Sequence, residues 1–118
     1  MSYAFTNDTP IYLQIVKHVK SLIVSGAYAP QSKLPSVREF SATYAVNPNT
    51  VQKALTELER LGLIYTDRTN GKFVTGEKDM LNNVKNDAIR QLTTNFFEQA
   101  LKLGFSKDEV IDIINKER

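Results

Sequence analysis

The chain has 118 residues, 42% of them apolar, which suffices for one or two small domains with a packed core. It has no cysteine and one histidine, so disulfides and thiolate metal sites are excluded and we expect no metal. The net charge is only +2, but residues 1–78 hold nine Lys and Arg against six acidic residues, the balance a phosphate-facing module needs. No apolar run approaches the roughly 18–20 residues of a membrane span, and no signal sequence is recognisable, so we expect a cytoplasmic protein without a membrane partner.

Residues 1–8 are expected to form a loose arm before the first helix. Asp8 or Thr9 can cap that helix, with Pro10 near its first position, where no N–H is needed. Gly26 can end it in the left-handed conformation. Apolar residues between these points recur at steps of three and four and predict one buried stripe: Ile11, Ile15, Val19, Leu22 and Ile23.

A second helix is predicted from Ser36, which forms the S-x-x-E capping box with Glu39. Its core-facing residues are Val37, Phe40 and Tyr44. Arg38 lies away from that face, and periodicity alone leaves open whether it is a solvated charge or a DNA contact.

A third helix begins after a turn over residues 44–47 that is short enough for a helix-turn-helix. Asn47 can cap it, and Pro48 suits its first position. Its predicted core stripe is Val51, Ala54, Leu55, Leu58 and Leu61. The other side carries amides, hydroxyls and a cation, which suit base edges and phosphates: Asn49, Thr50, Gln52, Lys53 and Thr56. Near the end of the helix, Glu57, Glu59 and Arg60 are expected to face solvent.

Two β-prone runs, residues 63–66 and 72–75, flank the turn signal Asn70-Gly71 and predict a hairpin. The hairpin could merely cover the core. A basic hairpin after three helices instead favours a wing, whose tip would lie beside a phosphate backbone or minor groove. The wing residues predicted to contact DNA are Arg68, Asn70, Gly71 and Lys72.

Beyond residue 78, apolar residues at helical spacing predict a long helix that stops at Gly104. Ser106 with Glu109 is a second capping box and begins a short helix. This two-helix hairpin has too much apolar surface to bury within itself, so it must pack on the first domain or on another copy of the chain. Self-association is favoured, and the predicted dimer interface is Leu81, Val84, Ala88, Leu92, Phe96, Phe97, Val110 and Ile114.

Residues 10–75 resemble the winged-helix domain of the GntR family of bacterial transcription regulators. The matching stretches are LPSVREF (34–40), NPNTVQKAL (47–55), LERLGLI (58–64) and GKFV (71–74). The short helical tail is similar to that of the YtrA subfamily. The resemblance implies a mainly α fold with a small β-hairpin. An N-terminal arm (1–8) would precede a winged helix-turn-helix domain (9–77) and a helical dimerisation segment (78–118).

The resemblance also implies roles for individual residues. The arginine of the family's P-S-x-R-E segment contacts DNA and corresponds to Arg38, and the wing-tip glycine corresponds to Gly71. Many members carry arginine at the positions of Pro48 and Gln52, where this chain cannot form the bidentate contact with guanine. We therefore predict phosphate contacts from Lys33, Arg38, Lys53 and Lys72, and base contacts from Asn47, Asn49, Thr50 and Gln52.

The predicted function is that of a homodimeric, sequence-specific transcription repressor. A two-fold dimer implies a palindromic operator with half-sites roughly 34 Å apart, or a multiple of it. No catalytic frame or phosphate loop is recognisable, so we expect neither an enzyme nor a cofactor. The tail is too short for a conventional effector pocket of about 300 Å³, but a small ligand at the dimer interface or between the tail and the wing domain stays open. Two alternatives are a protein-binding module and a small-molecule carrier that uses Phe96 and Phe97.

Overall fold

A computed structural model describes residues 3–117 and contains five helices and one antiparallel hairpin. The chain divides into two compact units, one up to residue 81 and one from residue 82, whereas we predicted a boundary after residue 77. No helix within residues 3–117 is both long and apolar enough to cross a bilayer. The elements are α1 (Ile11–Val24), α2 (Val37–Tyr44), α3 (Pro48–Arg60), β1 (Ile64–Asp67), β2 (Gly71–Val74), α4 (Lys78–Lys102) and α5 (Lys107–Lys116). This confirms the mainly α fold with a small β-hairpin.

Helix α1 begins differently from the prediction. Its N-cap is Pro10, which has no side-chain hydrogen bond to offer, so capping by Asp8 or Thr9 was wrong. The Asp8 carboxylate instead accepts from the Thr6 hydroxyl, and the Thr9 carbonyl accepts from the Gln14 side-chain amide at 2.9 Å. Within the helix, Ile15, Val19 and Ile23 are buried as predicted, but Ile11 is 42% exposed.

The N-terminal arm contacts α1 and α2 through Tyr3 and Thr6, so the expectation of a loose arm was wrong there; residues 1 and 2 lie outside the described residues. The Tyr3 ring lies 4.6 Å from the His18 ring and 5.6 Å from the Tyr44 ring, centre to centre. The Thr6 backbone N–H donates to the Gln14 side chain at 2.9 Å, and the Gln14 amide donates back to the Thr6 carbonyl at the same distance. Both bonds join the arm to α1.

Helix α3 lies at the centre of the first unit and packs against α1, α2 and β1. Leu61 lies just after the helix and is 37% exposed, so its assignment to the buried stripe was wrong. Gly62 has φ +80° and ends the helix, a conformation open to glycine at little energetic cost. The remaining stripe is fully buried, and each leucine or valine there contributes about 1.5–3 kcal/mol of hydrophobic stabilisation: Val51, Ala54, Leu55 and Leu58.

The hairpin pairs Ile64 with Val74 and Asp67 with Gly71, which leaves a three-residue loop, 68–70. We expected strands at 63–66 and 72–75 with Asn70-Gly71 in the turn; each strand instead lies one residue nearer the tip, and Gly71 is the first residue of β2. The connector before α2 also pairs with β2, since the Leu34 N–H donates to the Lys72 carbonyl at 2.9 Å. The hairpin, which we call the wing, is thereby attached to the segment that leads into α2.

The second unit contains most of α4 and all of α5. Helix α4 ends at Lys102; Gly104 follows with φ +94°, and the Phe105 N–H donates to the Ala100 carbonyl at 3.1 Å. The predicted capping box of α5 is confirmed: the Glu109 N–H donates to the Ser106 hydroxyl oxygen at 3.1 Å, and the Ser106 N–H donates to the Glu109 carboxylate at 2.9 Å. In this unit Ala100 and Val110 are buried, whereas most of its large apolar side chains are exposed.

Candidate nucleic-acid interface

The first turn of α3 is an exposed, polar helix start. Asn47 caps the helix, and its side-chain oxygen accepts a hydrogen bond from the Asn49 N–H at 2.7 Å. Pro48 fills the first helical position, as predicted. Asn49 and Gln52 are exposed, and Thr50 is half-buried. The turn therefore offers amide donors and acceptors to an approaching surface, while the capping oxygen of Asn47 is already occupied.

Arg38 lies in the first turn of α2 and is exposed. The capping box holds this turn, since the Glu39 N–H donates to the Ser36 hydroxyl oxygen at 3.1 Å and the Ser36 N–H donates to the Glu39 carboxylate at 2.9 Å. Hydrogen bonding to the Ser36 backbone N–H, and then to the Ser36 side chain, keeps the pKa of the Glu39 carboxylate below its usual value. Among the ion pairs within residues 3–117, none involves Arg38. Its guanidinium is free to bind an external anion.

Lys53 is the cation of the exposed side of α3. Its ammonium lies 4.3 Å from the centre of the Tyr12 ring on α1, within the range of a cation–π interaction. Lys53 is exposed despite this contact, so it can still reach a phosphate from the edge of α3 that faces α1.

The tip of the wing is organised by Asp67. Its carboxylate accepts from the Thr69 N–H at 3.0 Å, from the Thr69 hydroxyl at 2.9 Å and from the Asn70 side-chain amide at 3.3 Å. These bonds, those from Thr69 first, hold the pKa of Asp67 below its usual value. Arg68 is left exposed at the tip, while the Asn70 amide is partly engaged. The sequence reading did not single out Asp67, although an aspartate two residues before a threonine in a turn is a recognisable signal.

Gly71 is needed at its position for two reasons. Its φ is +109°, and a Cβ there would lie 3.2 Å from Cε of Lys33. The Lys33 side chain therefore lies close against the Gly71 backbone. A groove of about 360 Å³ between the wing and the start of α2 collects five predicted contact residues: Lys33, Arg68, Asn70, Gly71 and Lys72. Arg38 and the predicted contact residues of α3 lie outside its lining, so the predicted contacts fall into two groups.

Lys72 is bound within the protein. Its ammonium lies 3.0 Å from a Glu59 carboxylate oxygen and 2.7 Å from the Thr66 hydroxyl oxygen, and its side chain is only 22% exposed. Glu59 is exposed as predicted, but its carboxylate is also paired with Lys72. The sequence could not show the pairing with Glu59, because it depends on how the hairpin packs against the end of α3.

Comparisons with known proteins identify the family of the chain. The family model for bacterial regulatory proteins of the gntR family matches residues 11–74. The chain is 36% identical over 112 residues to the uncharacterized HTH-type transcriptional regulator YhcF of Bacillus subtilis, covering 95% of this chain and 93% of that protein. It is 48% identical over 69 residues to the HTH-type transcriptional repressor YtrA of the same organism, covering 58% of this chain and 53% of YtrA.

Solved structures extend the similarity. A GntR family transcriptional regulator from Listeria monocytogenes superposes with a TM-score of 0.88 at 41% identity, covering 97% of this chain and all of that one. The DNA-binding domain of AraR, solved in complex with operator ORX1, has a TM-score of 0.57 at 26% identity and covers 64% of this chain and 95% of that one. The chain thus belongs to the GntR family of bacterial transcription regulators, and its first three helices and wing form the DNA-binding domain of that family.

Proposed function

We propose that this regulator is a homodimeric repressor that binds a palindromic operator and reads bases with the first turn of α3. The observation that carries the proposal is the exposed turn itself, whose amides are positioned by the Asn47 cap and the Pro48 start. Asparagine and glutamine amides suit the paired donor and acceptor of adenine in the major groove. Asn49 and Gln52 are the side chains we assign to base contacts, with Asn47 and Thr50 beside them.

Phosphate contacts are assigned to cations that flank this turn. Arg38 and Lys33 lie at and before the start of α2, Lys53 lies on α3, and Arg68 lies at the wing tip. All four are exposed, as contacts with a DNA backbone require. Asn70 and Gly71 would bring the wing backbone close to the DNA. Lys72 is not assigned a phosphate contact, because its charge is already paired with Glu59.

Dimerisation is assigned to the second unit. Leu92 is 63% exposed, Phe96 is 50% exposed and Ile114 is 49% exposed, so the unit presents a large apolar surface. A large exposed apolar surface is typical of an interaction site. Val110 is 5% exposed in the single chain and contributes little to such an interface. Pairing two chains through these helices would present two copies of α3 to successive major grooves.

Repression is supported by similarity. YtrA of Bacillus subtilis is described as a repressor, and its likeness to this chain covers the DNA-binding domain. A bound dimer on an operator can block transcription by occupancy alone, which requires no further domain. We therefore propose repression as the mode of action.

Selection of bound fragments from the source genome tests the DNA-binding proposal. The expected result is enrichment of fragments that share an inverted repeat, with half-site centres roughly 34 Å or a multiple apart. Gel shifts on those fragments should weaken steeply with salt. Equal binding to all fragments, or none, would contradict sequence-specific regulation and favour a protein-binding module.

Sedimentation of the purified chain tests the dimer. The wild-type chain should sediment as a dimer, and Leu92→Glu with Phe96→Glu should give a folded monomer with much weaker operator binding. Asn83→Glu with Thr94→Glu is the matched control, since it adds the same two charges at exposed polar positions of α4. A monomeric wild type would contradict the proposal and favour an open apolar groove for another ligand.

A further inference from the structure

Three side chains join the wing to the end of α3. The Lys72 ammonium donates to Glu59 at 3.0 Å and to the Thr66 hydroxyl oxygen at 2.7 Å. The Thr66 hydroxyl donates to the same Glu59 oxygen at 2.8 Å. Each member thus contacts the other two, and we call this group the Lys72–Glu59–Thr66 cluster.

The cluster leaves Lys72 poorly suited to bind a phosphate. Two of the three ammonium donors already have partners inside the protein, and the paired carboxylate cancels the charge that would attract an anion. The Lys72 side chain is only 22% exposed, whereas the Glu59 side chain is 42% exposed. To reach DNA, Lys72 would have to break the cluster, while Arg68 at the tip is already exposed.

The position of the cluster suits it to hold the wing in place. An isolated two-stranded hairpin is only marginally stable in water, so its orientation depends on attachments to its neighbours. The backbone bonds from the connector hold one edge, along β2. The cluster ties Thr66 of β1 and Lys72 of β2, which lie directly opposite each other, to the last turn of α3. Hydrogen bonds from Thr66 and Lys72 lower the pKa of Glu59, so its carboxylate is charged at neutral pH.

We propose that the Lys72–Glu59–Thr66 cluster fixes the orientation of the wing relative to α3, and that Lys72 is a positioning residue without a phosphate contact. This inference rests on the DNA-binding function proposed above. It has an unusual consequence: Glu59, an acidic residue near the DNA-facing elements, supports DNA affinity. Simple electrostatics predicts the opposite, because removing a carboxylate near DNA should strengthen binding.

Operator affinity measured over a range of salt concentrations tests the proposal in the full chain. Lys72→Met and Glu59→Gln should each weaken binding by about two- to fivefold, the effect of losing a partly exposed ion pair. The slope of log affinity against log salt should stay at the wild-type value in Lys72→Met. The effects of the two changes should not add. The double variant should bind about as well as whichever single variant binds less tightly, because either change already breaks the cluster.

Glu57→Gln is the matched control. Glu57 lies on the same helix and pairs with Arg60 at 2.6 Å, so this change removes the same charge without touching the wing. Its affinity should equal or exceed that of the wild type. The proposal is overturned if Lys72→Met reduces the slope by about 0.9, the value for one lost phosphate, or if Glu59→Gln binds as tightly as Glu57→Gln.

Amide hydrogen exchange in the DNA-free chain separates this inference from the function on which it rests. Lys72→Met and Glu59→Gln should both speed exchange in the wing, for example at Asn70, whose N–H donates to the Asp67 carbonyl at 3.2 Å. Glu57→Gln should not. A wild-type chain that binds no genomic fragment overturns the proposed function, whereas equal wing exchange in all these proteins overturns the positioning role.

Discussion

The ammonium of Lys53 lies over the ring of Tyr12, 4.3 Å from its centre, and links the exposed side of α3 to α1. A cation–π interaction at an exposed site contributes about 0.5–1 kcal/mol. Tyr12→Leu removes the aromatic face, whereas Tyr12→Phe keeps it. We therefore expect the free energy of unfolding of Tyr12→Leu to be about 0.5–1 kcal/mol lower than that of Tyr12→Phe. Urea denaturation measures this difference. In a Lys53→Met background the difference should shrink, and an unchanged difference would mean that ring packing alone is responsible.

Two substitutions of Asn47 test helix capping and operator binding separately. Asn47→Ala removes the acceptor for the Asn49 N–H and should lower the free energy of unfolding by about 1 kcal/mol. Asn47→Asp keeps an acceptor at the positive end of α3 and should leave the chain at least as stable. The same variant places a negative charge against DNA, so we expect operator binding to fall although the fold is intact. Thermal unfolding measures the stability of each variant, and a gel shift on the same sample measures its operator affinity. If Asn47→Asp bound operator with full affinity, Asn47 would not be a DNA contact.

Asp67 positions the wing tip through its bonds to Thr69 and Asn70. Asp67→Asn and Asp67→Ala change the net charge equally, but only asparagine retains an oxygen that can accept from the Thr69 N–H. We expect the alanine variant to bind operator more weakly than the asparagine variant because Arg68 loses its fixed position. Fluorescence anisotropy on labelled operator measures the difference. Equal affinities would show that the tip need not be ordered before binding.

The Asp67 carboxylate should make the stability of the wing depend on pH. Because the folded-state pKa of Asp67 is lowered, its hydrogen bonds stabilise the wing above the ordinary aspartate pKa of about 3.9 and are lost as the pH falls through the folded-state value. In nuclear magnetic resonance spectra we expect the Thr69 and Asn70 amide signals to shift together below that pH. In Asp67→Asn these shifts should be absent. Their persistence would assign the acid transition to another group.

At the alkaline end, Tyr44 should dominate the change in stability of the first unit. Burial, together with the neighbouring Tyr28 and Tyr3, raises its pKa to about 12. The unfolded chain loses this proton near pH 10, so the stabilisation present below pH 10 is lost as the pH rises toward 12. Tyr44→Phe should show a smaller alkaline loss, although it starts less stable without the hydrogen bond at 2.6 Å to His18. Urea midpoints between pH 8 and 11.5 compare the two slopes, and parallel slopes would contradict the assignment.

Features that depend on a few consecutive residues could be predicted. The starts of α2, α3 and α5 followed from Ser36, Asn47-Pro48 and Ser106, because a cap satisfies backbone groups only one to three residues away. The α3 stripe followed from helical periodicity, with an error only at Leu61, where the helix ends and the period no longer applies. The candidate DNA contacts on α3 could also be predicted, because the helical period that defines the buried stripe also defines the opposite, exposed side.

Features that depend on distant segments were missed or misassigned. The packed arm requires Tyr3 to meet His18 and Tyr44, and no spacing in the chain encodes that meeting. The role of Lys72 changed because the hairpin packs so that its ammonium lies 3.0 Å from Glu59, a residue of another element 13 positions earlier in the chain.

The sequence by itself determined a helix-turn-helix with a proline-started reading helix, since capping, helical period and turn chemistry act over a few residues. Only the tertiary structure decided which cations are free to meet DNA. Arg38 and Arg68 are exposed and outside the ion pairs of residues 3–117, whereas Lys53 lies over Tyr12 and Lys72 is paired with Glu59. The physical reason is that the availability of a charge depends on the partners that other elements bring within a few ångströms of it.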